Sequence, residues 1–211
     1  MSAVALFGAT GSIGRAIAAE LVRRGHQVTG VSRSGAGSVP GVTPAAGDAS
    51  SAADVARLAA GVDVVISATG PRRDGSDPAE SQVGVARTLV DGVRTAGVGR
   101  LIVVGGAGSL RQDGGRHVDS PNFPAAWKPL ALAAVSARDF YLTVSDVDWL
   151  YVSPAAVIEP GARTGTFRVG GDELLTDASG VSRISIDDYA IGLVDQLERP
   201  AARRAQITVA Y

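Results

Sequence analysis

The chain has 211 residues, 45% hydrophobic and 19% charged, with 20 basic against 21 acidic side chains; it can bury a substantial core and offers no broad positive field to nucleic acid or an anionic membrane. Cysteine is absent and histidine is limited to His26 and His117, which excludes disulfides, thiolate catalysis and cysteine metal sites, and disfavours a histidine metal site. With no apolar run of membrane-span length and no signal-type N-terminus, the expectation is a cytoplasmic protein whose partners are a small molecule and, through its helix surfaces, a second subunit of a homodimer.

Residues 3–7 form a short, wholly apolar run, the pattern of a strand buried on both faces of a parallel sheet. Gly8-Ala9-Thr10-Gly11-Ser12-Ile13-Gly14 follows, and then a helical stripe of Ile13, Ile17 and Leu21, with Arg15, Glu20 and Arg23 off the stripe and Gly25 as the stop. Strand, glycine turn and helix together make a place for a dinucleotide pyrophosphate: the glycines let the backbone approach the phosphates, and the amides opening the helix face the anion. The spacing is GxxGxxG, distinct from the GxGxxG of many dehydrogenases.

A second strand is expected at 27–31, ending in Ser32-Arg33-Ser34, and a weak third at 42–46. Ser51 opens a short helix with Val55, Leu58 and Ala59 inward, and 63–67 is a fourth strand. The next helix is the best signalled, with Asp77 as cap, Pro78 in the first turn, Glu80 completing the box, and Val83, Ala86, Leu89, Val90 and Val93 as the buried stripe before Gly97. A strand at 100–104, a long polar segment, a helix over 129–144 and a strand at 148–152 complete the alternation, which predicts an α/β, doubly wound parallel sheet, a Rossmann fold. Beyond Ser153-Pro154 short strands are expected at 164–169 and 181–186, then a helix capped by Asp187 and a last strand at 206–210. One domain spans 1–211, with 153–186 as a small substrate-facing elaboration.

An acidic residue ending the second strand would bind a ribose 2′-hydroxyl and repel a 2′-phosphate. Here Arg33 stands in that place, able to pair with a 2′-phosphate, with Ser32 and Ser34 as added donors, so NADP(H) is expected over NAD(H). Asp48 is expected at the adenine end or as a cap for the next helix, and Ala68, Thr69 and Gly70 line the crevice beside the ribose.

GATGSIGRAIAAELVRRGHQV at the start, VSR after the second strand, VVGGAGSL after the fifth, and DWLYVSPAAVIEPGARTG followed by SRISIDDYA resemble, over nearly the whole chain, the atypical short-chain dehydrogenase/reductase superfamily. The resemblance points to its small NAD(P)H-binding branch of flavin reductase, biliverdin-IXβ reductase-like and NmrA-like proteins. It implies cofactor contacts from Gly8, Thr10, Gly11, Ser12, Ile13, Gly14 and Ser153, and an active-site serine at Ser109.

The family's usual tyrosine-lysine pair, spaced YxxxK, is missing: Lys128 is the only lysine and Pro124 lies four before it, while Ser145, Ala155 and Leu193 lie four after Tyr141, Tyr151 and Tyr189. Without that pair the favoured chemistry is hydride transfer from NADPH to a flavin or other planar conjugated acceptor, which spreads the charge it receives. Trp127, His117 and Arg163 are the candidate acceptor contacts, each also readable as packing or solvated surface. The alternative from another class is a non-catalytic NADP(H)-sensing regulator of the NmrA-like kind; a nucleotide-sugar epimerase or dehydratase ranks third.

Overall fold

The computed structural model describes residues 1–37, 39–71, 75–200 and 202–211. Its central strands are β1 (Ala3–Phe7), β2 (Gln27–Ser32), β3 (Val42–Ala46), β4 (Val64–Ser67) and β5 (Arg100–Val104). A small hairpin of β6 (Arg111–Gln112) and β7 (Gly115–Arg116) then precedes β8 (Trp149–Pro154), β9 (Val157–Glu159), β10 (Arg168–Gly170), β11 (Arg183–Ser185) and β12 (Ala205–Ala210). The helices are α1 (Ser12–Arg23), α2 (Ala52–Ala59), α3 (Pro78–Ala96), α4 (Lys128–Leu142) and α5 (Ile186–Glu198).

Eight strands of the described residues join one sheet in the order β10-β12-β8-β5-β4-β1-β2-β3, parallel except for the antiparallel edge pair β10 and β12. Side chains alternate along each strand, so one strand feeds two cores. Val4, Leu6, Ile66, Ile102 and Leu150 pack with Ile17 and Leu21 of α1 and Tyr189 and Leu193 of α5. Ala5, Phe7, Val65, Leu101 and Trp149 face the other way, onto Val55 of α2, Leu89 of α3 and Tyr141 of α4. This is the expected doubly wound fold. From β1 the chain runs outward to β2 and β3 on one side and to β4, β5 and β8 on the other, so the crevice for a ligand opens at the strand ends between β1 and β4.

Several local expectations hold in detail. Ser51 accepts from the Asp54 amide at 3.2 Å, Asp77 accepts from Glu80 at 2.8 Å, and Gly97 closes α3 with φ of 68°. Others are corrected. The cap of α5 is Ser185, whose Oγ accepts from the Asp188 amide at 3.0 Å, and not Asp187. In α3 it is Val85 that is buried, while Val83 is half-buried. The strand expected at 164–169 is confined to β10, because the Thr164 and Gly165 amides both donate to the buried Asp188 carboxylate at 2.8 Å and wrap that segment onto α5.

Glu20, read as off the apolar stripe, is 5% exposed. Burial by itself would raise its carboxyl, but hydrogen bonds from Arg23, Arg24 and Arg163 outweigh that and hold it at about 2. Arg24 extends the cluster to Asp195 and Glu198, tying α1 to α5.

Candidate functional site

At the strand ends a cleft of about 590 Å³ is lined by Phe7, Gly8, Thr10, Gly11, Val31, Ser32, Arg33, Gly47, Asp48, Ala49, Ala68, Thr69, Gly70, Pro71, Val85 and Leu130. Its floor is the glycine turn, and each glycine has its own reason. Gly8 has φ of 82°, and a Cβ there would lie 2.6 Å from the Ala68 carbonyl oxygen, so the turn presses directly on the end of β4. A Cβ on Gly14 would meet the Gly8 carbonyl oxygen at 2.1 Å, which fixes α1 against the turn. Gly11 is different: its added Cβ would sit at an ordinary 3.5 Å from that oxygen, so what a side chain at Gly11 would obstruct is the open cleft.

Gly11 is also the N-cap of α1, and no side chain caps that helix or α4, whereas Ser51, Asp77 and Ser185 cap α2, α3 and α5. Donors at the start of α1 are thereby left to an anion lying over the glycines. The residues fit a dinucleotide: a close-approach turn, uncapped amides and a cleft continuing to Arg33.

Arg33 is exposed on the cleft wall at the end of β2. Its serine neighbours are engaged in the turn: Ser32 Oγ donates to the Ala36 carbonyl at 2.8 Å, and Ser34 Oγ accepts from the Ala36 amide at 3.3 Å. Asp48 lines the cleft at the neighbouring end of β3, where the Gly47 amide donates to the Ser32 carbonyl at 3.0 Å, and accepts from the Ser50 amide and hydroxyl at 2.9 and 2.8 Å, so it also organises the approach to α2. Thr69 Oγ1 lies 2.8 Å from Ser67 Oγ, joining two residues at the β4 end.

The cleft thus gathers Gly8, Thr10, Gly11, Ser32, Arg33, Asp48, Ala68, Thr69 and Gly70 from the expected cofactor set. Ser12, Ile13, Gly14 and Ser34 adjoin it in sequence without lining it. Ser153 is fully buried, its Oγ donating to the Gly106 carbonyl at 2.9 Å. Phe7, Val31, Gly47, Ala49, Val85 and Leu130 are walls that the motifs did not mark. Strand periodicity could have suggested Phe7 and Val31, whereas Val85 and Leu130 reach the cleft through the packing of α3 and α4.

The expected acceptor contacts do not gather there. Ser109 is 2% exposed in a 3-10 turn, accepts from Gln206 Nε2 at 2.8 Å and lies outside the lining. His117 meets Gln112 Oε1 through Nδ1 at 2.7 Å and packs edge-on against Phe123, and burial pushes its pKa down, toward the neutral ring. Arg163 reaches Glu20 at 3.2 Å on the α1 and α5 side. Trp127 is 64% exposed just before α4.

The four tyrosines are all committed elsewhere. Tyr151 and Tyr189 donate to the carbonyls of Ala134 and Val152 at 2.8 and 2.6 Å, and Tyr211 donates to Asp188 Oδ2 at 2.8 Å. Tyr141 is buried between α4 and the sheet, where desolvation raises its hydroxyl far above the ordinary value. Among the described residues no phenol lines the cleft.

A family described as NAD(P)H-binding matches residues 8–197. A structure from Burkholderia pseudomallei, called a "putative exported protein", is 48% identical with a TM-score of 0.92 and 100% of both chains covered. A "putative epimerase" from Bacteroides thetaiotaomicron is 36% identical with a TM-score of 0.89, covering 99% of this chain and 96% of that one. A "putative NADH-flavin reductase" from Streptococcus pneumoniae is 33% identical with a TM-score of 0.85, covering 100% and 99%. Among the described residues no helix is long and apolar enough to cross a membrane.

Proposed function

The chain belongs to the NAD(P)H-binding family, within the atypical short-chain dehydrogenase/reductase superfamily, and from that premise we propose that it is an NADPH-dependent reductase of a flavin or another planar conjugated acceptor. The observation that carries the reading is a cleft over the glycine turn that, among the described residues, has no tyrosine hydroxyl on its wall. Gly8, Gly11 and the start of α1 would hold the pyrophosphate, and Arg33 would hold the 2′-phosphate through charge-assisted hydrogen bonds. NADPH held there would supply a hydride, two electrons with one proton, and the second proton of the reduced acceptor would come from water. The apolar Val85 and Leu130 narrow the cleft. Because a conjugated acceptor disperses its new charge, positioning supplies most of what the protein must contribute.

The name of the pneumococcal relative supports this substrate class. That of the Bacteroides relative points to epimerisation, which would call for a proton-shuttling group where this chain has no tyrosine-lysine pair. A second reading, the NADP(H)-sensing regulator, is favoured by one observation, the withdrawal of Ser109 into the interior. Steady-state NADPH oxidation with a panel of flavins, quinones and tetrapyrroles separates them. Turnover with at least one acceptor supports the reductase, whereas tight NADPH binding with none turned over supports the sensor. We place the protein in the cytoplasm, where NADPH is regenerated; cell fractionation tests this against the exported location in the Burkholderia relative's name.

A further inference from the structure

The loop leaving β5 is held by close backbone packing and by hydrogen bonds. Its glycines permit an approach that side chains at Gly105 and Gly106 would block and one at Gly108 would crowd. A Cβ on Gly105 would lie 2.2 Å from the Tyr151 ring, one on Gly106 2.9 Å from the Ala134 Cβ, and one on Gly108 3.1 Å from the Ala131 Cβ, so the loop rests directly on β8 and α4. Beside Tyr151 in the register stands Gln206 of β12, 7% exposed. Arg138 Nε donates to Gln206 Oε1 at 2.9 Å. A guanidinium can only donate, which fixes the orientation of the amide and turns its Nε2 toward the serines. That nitrogen donates to Ser109 Oγ and to Ser153 Oγ, both at 2.8 Å, and Ser153 Oγ in turn donates to the Gly106 carbonyl at 2.9 Å. Residues from α4, β12, β8 and the loop thus form one unbroken hydrogen-bonded line. Gln206, Arg138 and Ser109 all lie outside the cofactor cleft. The loop they hold does not lie far from it: β5 pairs with β4, whose following residues Ala68 to Pro71 line the cleft.

We propose that Gln206 is a positioning residue for hydride transfer: it fixes the loop at 105–110 beside the cofactor so that acceptor and nicotinamide meet at reacting distance. The proposal rests on the reductase reading. It also gives Ser109 a different role from that of an active-site serine, as one of two hydroxyls by which the loop is held.

Gln206→Leu keeps the volume and removes every hydrogen bond, whereas Gln206→Glu keeps an oxygen for Arg138 but replaces the donating Nε2 by an acceptor, so Ser153 must release the Gly106 carbonyl to donate to it. For Gln206→Leu, kcat is expected to fall about tenfold while the Kd for NADPH stays within about twofold, because displacement at the reacting centre is costly and the glycine turn is untouched. Gln206→Glu, which keeps the Arg138 anchor and surrenders only the Gly106 bond, should fall between Gln206→Leu and wild type. Hydrogen exchange gives a readout independent of turnover: in Gln206→Leu the amides of 105–110 should exchange faster, with those of 8–14 unchanged. Wild-type kcat in Gln206→Leu, equal loss in the leucine and glutamate variants, or unchanged exchange at 105–110 would each overturn the proposal. If the wild type reduces no acceptor, the reductase reading fails, and exchange alone still decides whether Gln206 fixes the loop. Should Gln206→Leu not fold, Arg138→Met removes the anchor from the partly exposed side and carries the same expectations.

Discussion

Two glycines of one turn, Gly11 and Gly14, make separable demands, and substitution distinguishes them. Gly14→Ala forces a Cβ to 2.1 Å from the Gly8 carbonyl, and overpacking of this kind costs about 1–3 kcal/mol, so its thermal midpoint should fall clearly. Gly11→Ala meets only ordinary contact within the protein and should melt close to wild type, yet weaken NADPH binding about tenfold by intruding on the phosphates. A matched loss of stability in both variants would refute that division. Arg33→Ala should raise the Kd for NADPH about tenfold or more, as expected for a lost hydrogen bond to a charged group, and leave NADH unaffected. Titration of both cofactors checks this, and a wild-type Kd for NADH equal to or below that for NADPH would contradict the assignment.

At the scale of elements, the joint between α1 and α5 is electrostatic as well as apolar. Glu20 is buried, and despite the desolvation its arginine partners hold its pKa at about 2, against 4.5 for the unperturbed group. A depressed carboxylate contributes stability in full above its unfolded value and loses it as the pH falls through the folded one. The window is therefore about pH 4.5 down to 2, and the contribution is on the order of 3 kcal/mol at most. Denaturant melts across that range should show wild-type stability falling, and Glu20→Gln should be less stable at neutral pH with a flatter acid limb. Parallel acid limbs would refute it. This joint was poorly legible in the sequence, because Glu20 looks solvated by helical spacing and only the arrival of Arg163, 143 residues away, completes its shell. By contrast, the β1, glycine turn and α1 unit was legible because every signal for it is local. The caps at Ser51 and Asp77 were local too, while Ser185 was missed because Asp187 is the first acidic residue in the same helix turn.

Over the whole molecule, the doubly wound order could be read from alternating strands and helices, and with it the place of the cleft at the switch between β1 and β4. The acceptor side was much less legible. Ser109 sits in a loop that resembles an active-site segment, but its partner Gln206 lies 97 residues further on, and no sequence spacing links them. Leu130 and Val85 enter the cleft wall only because α3 and α4 pack side by side across the same face of the sheet. What this architecture offers is a cleft over a glycine turn and, among the described residues, a wall without a tyrosine acid, and on the reductase reading hydride transfer to a conjugated ring asks for little more. Anaerobic single-turnover mixing of the protein with NADPH and flavin, following the nicotinamide and flavin absorbances together, tests that directly. The account predicts that both fall at the same rate and in equal amounts. NADPH bound by the protein while the flavins tested stay oxidised would contradict it.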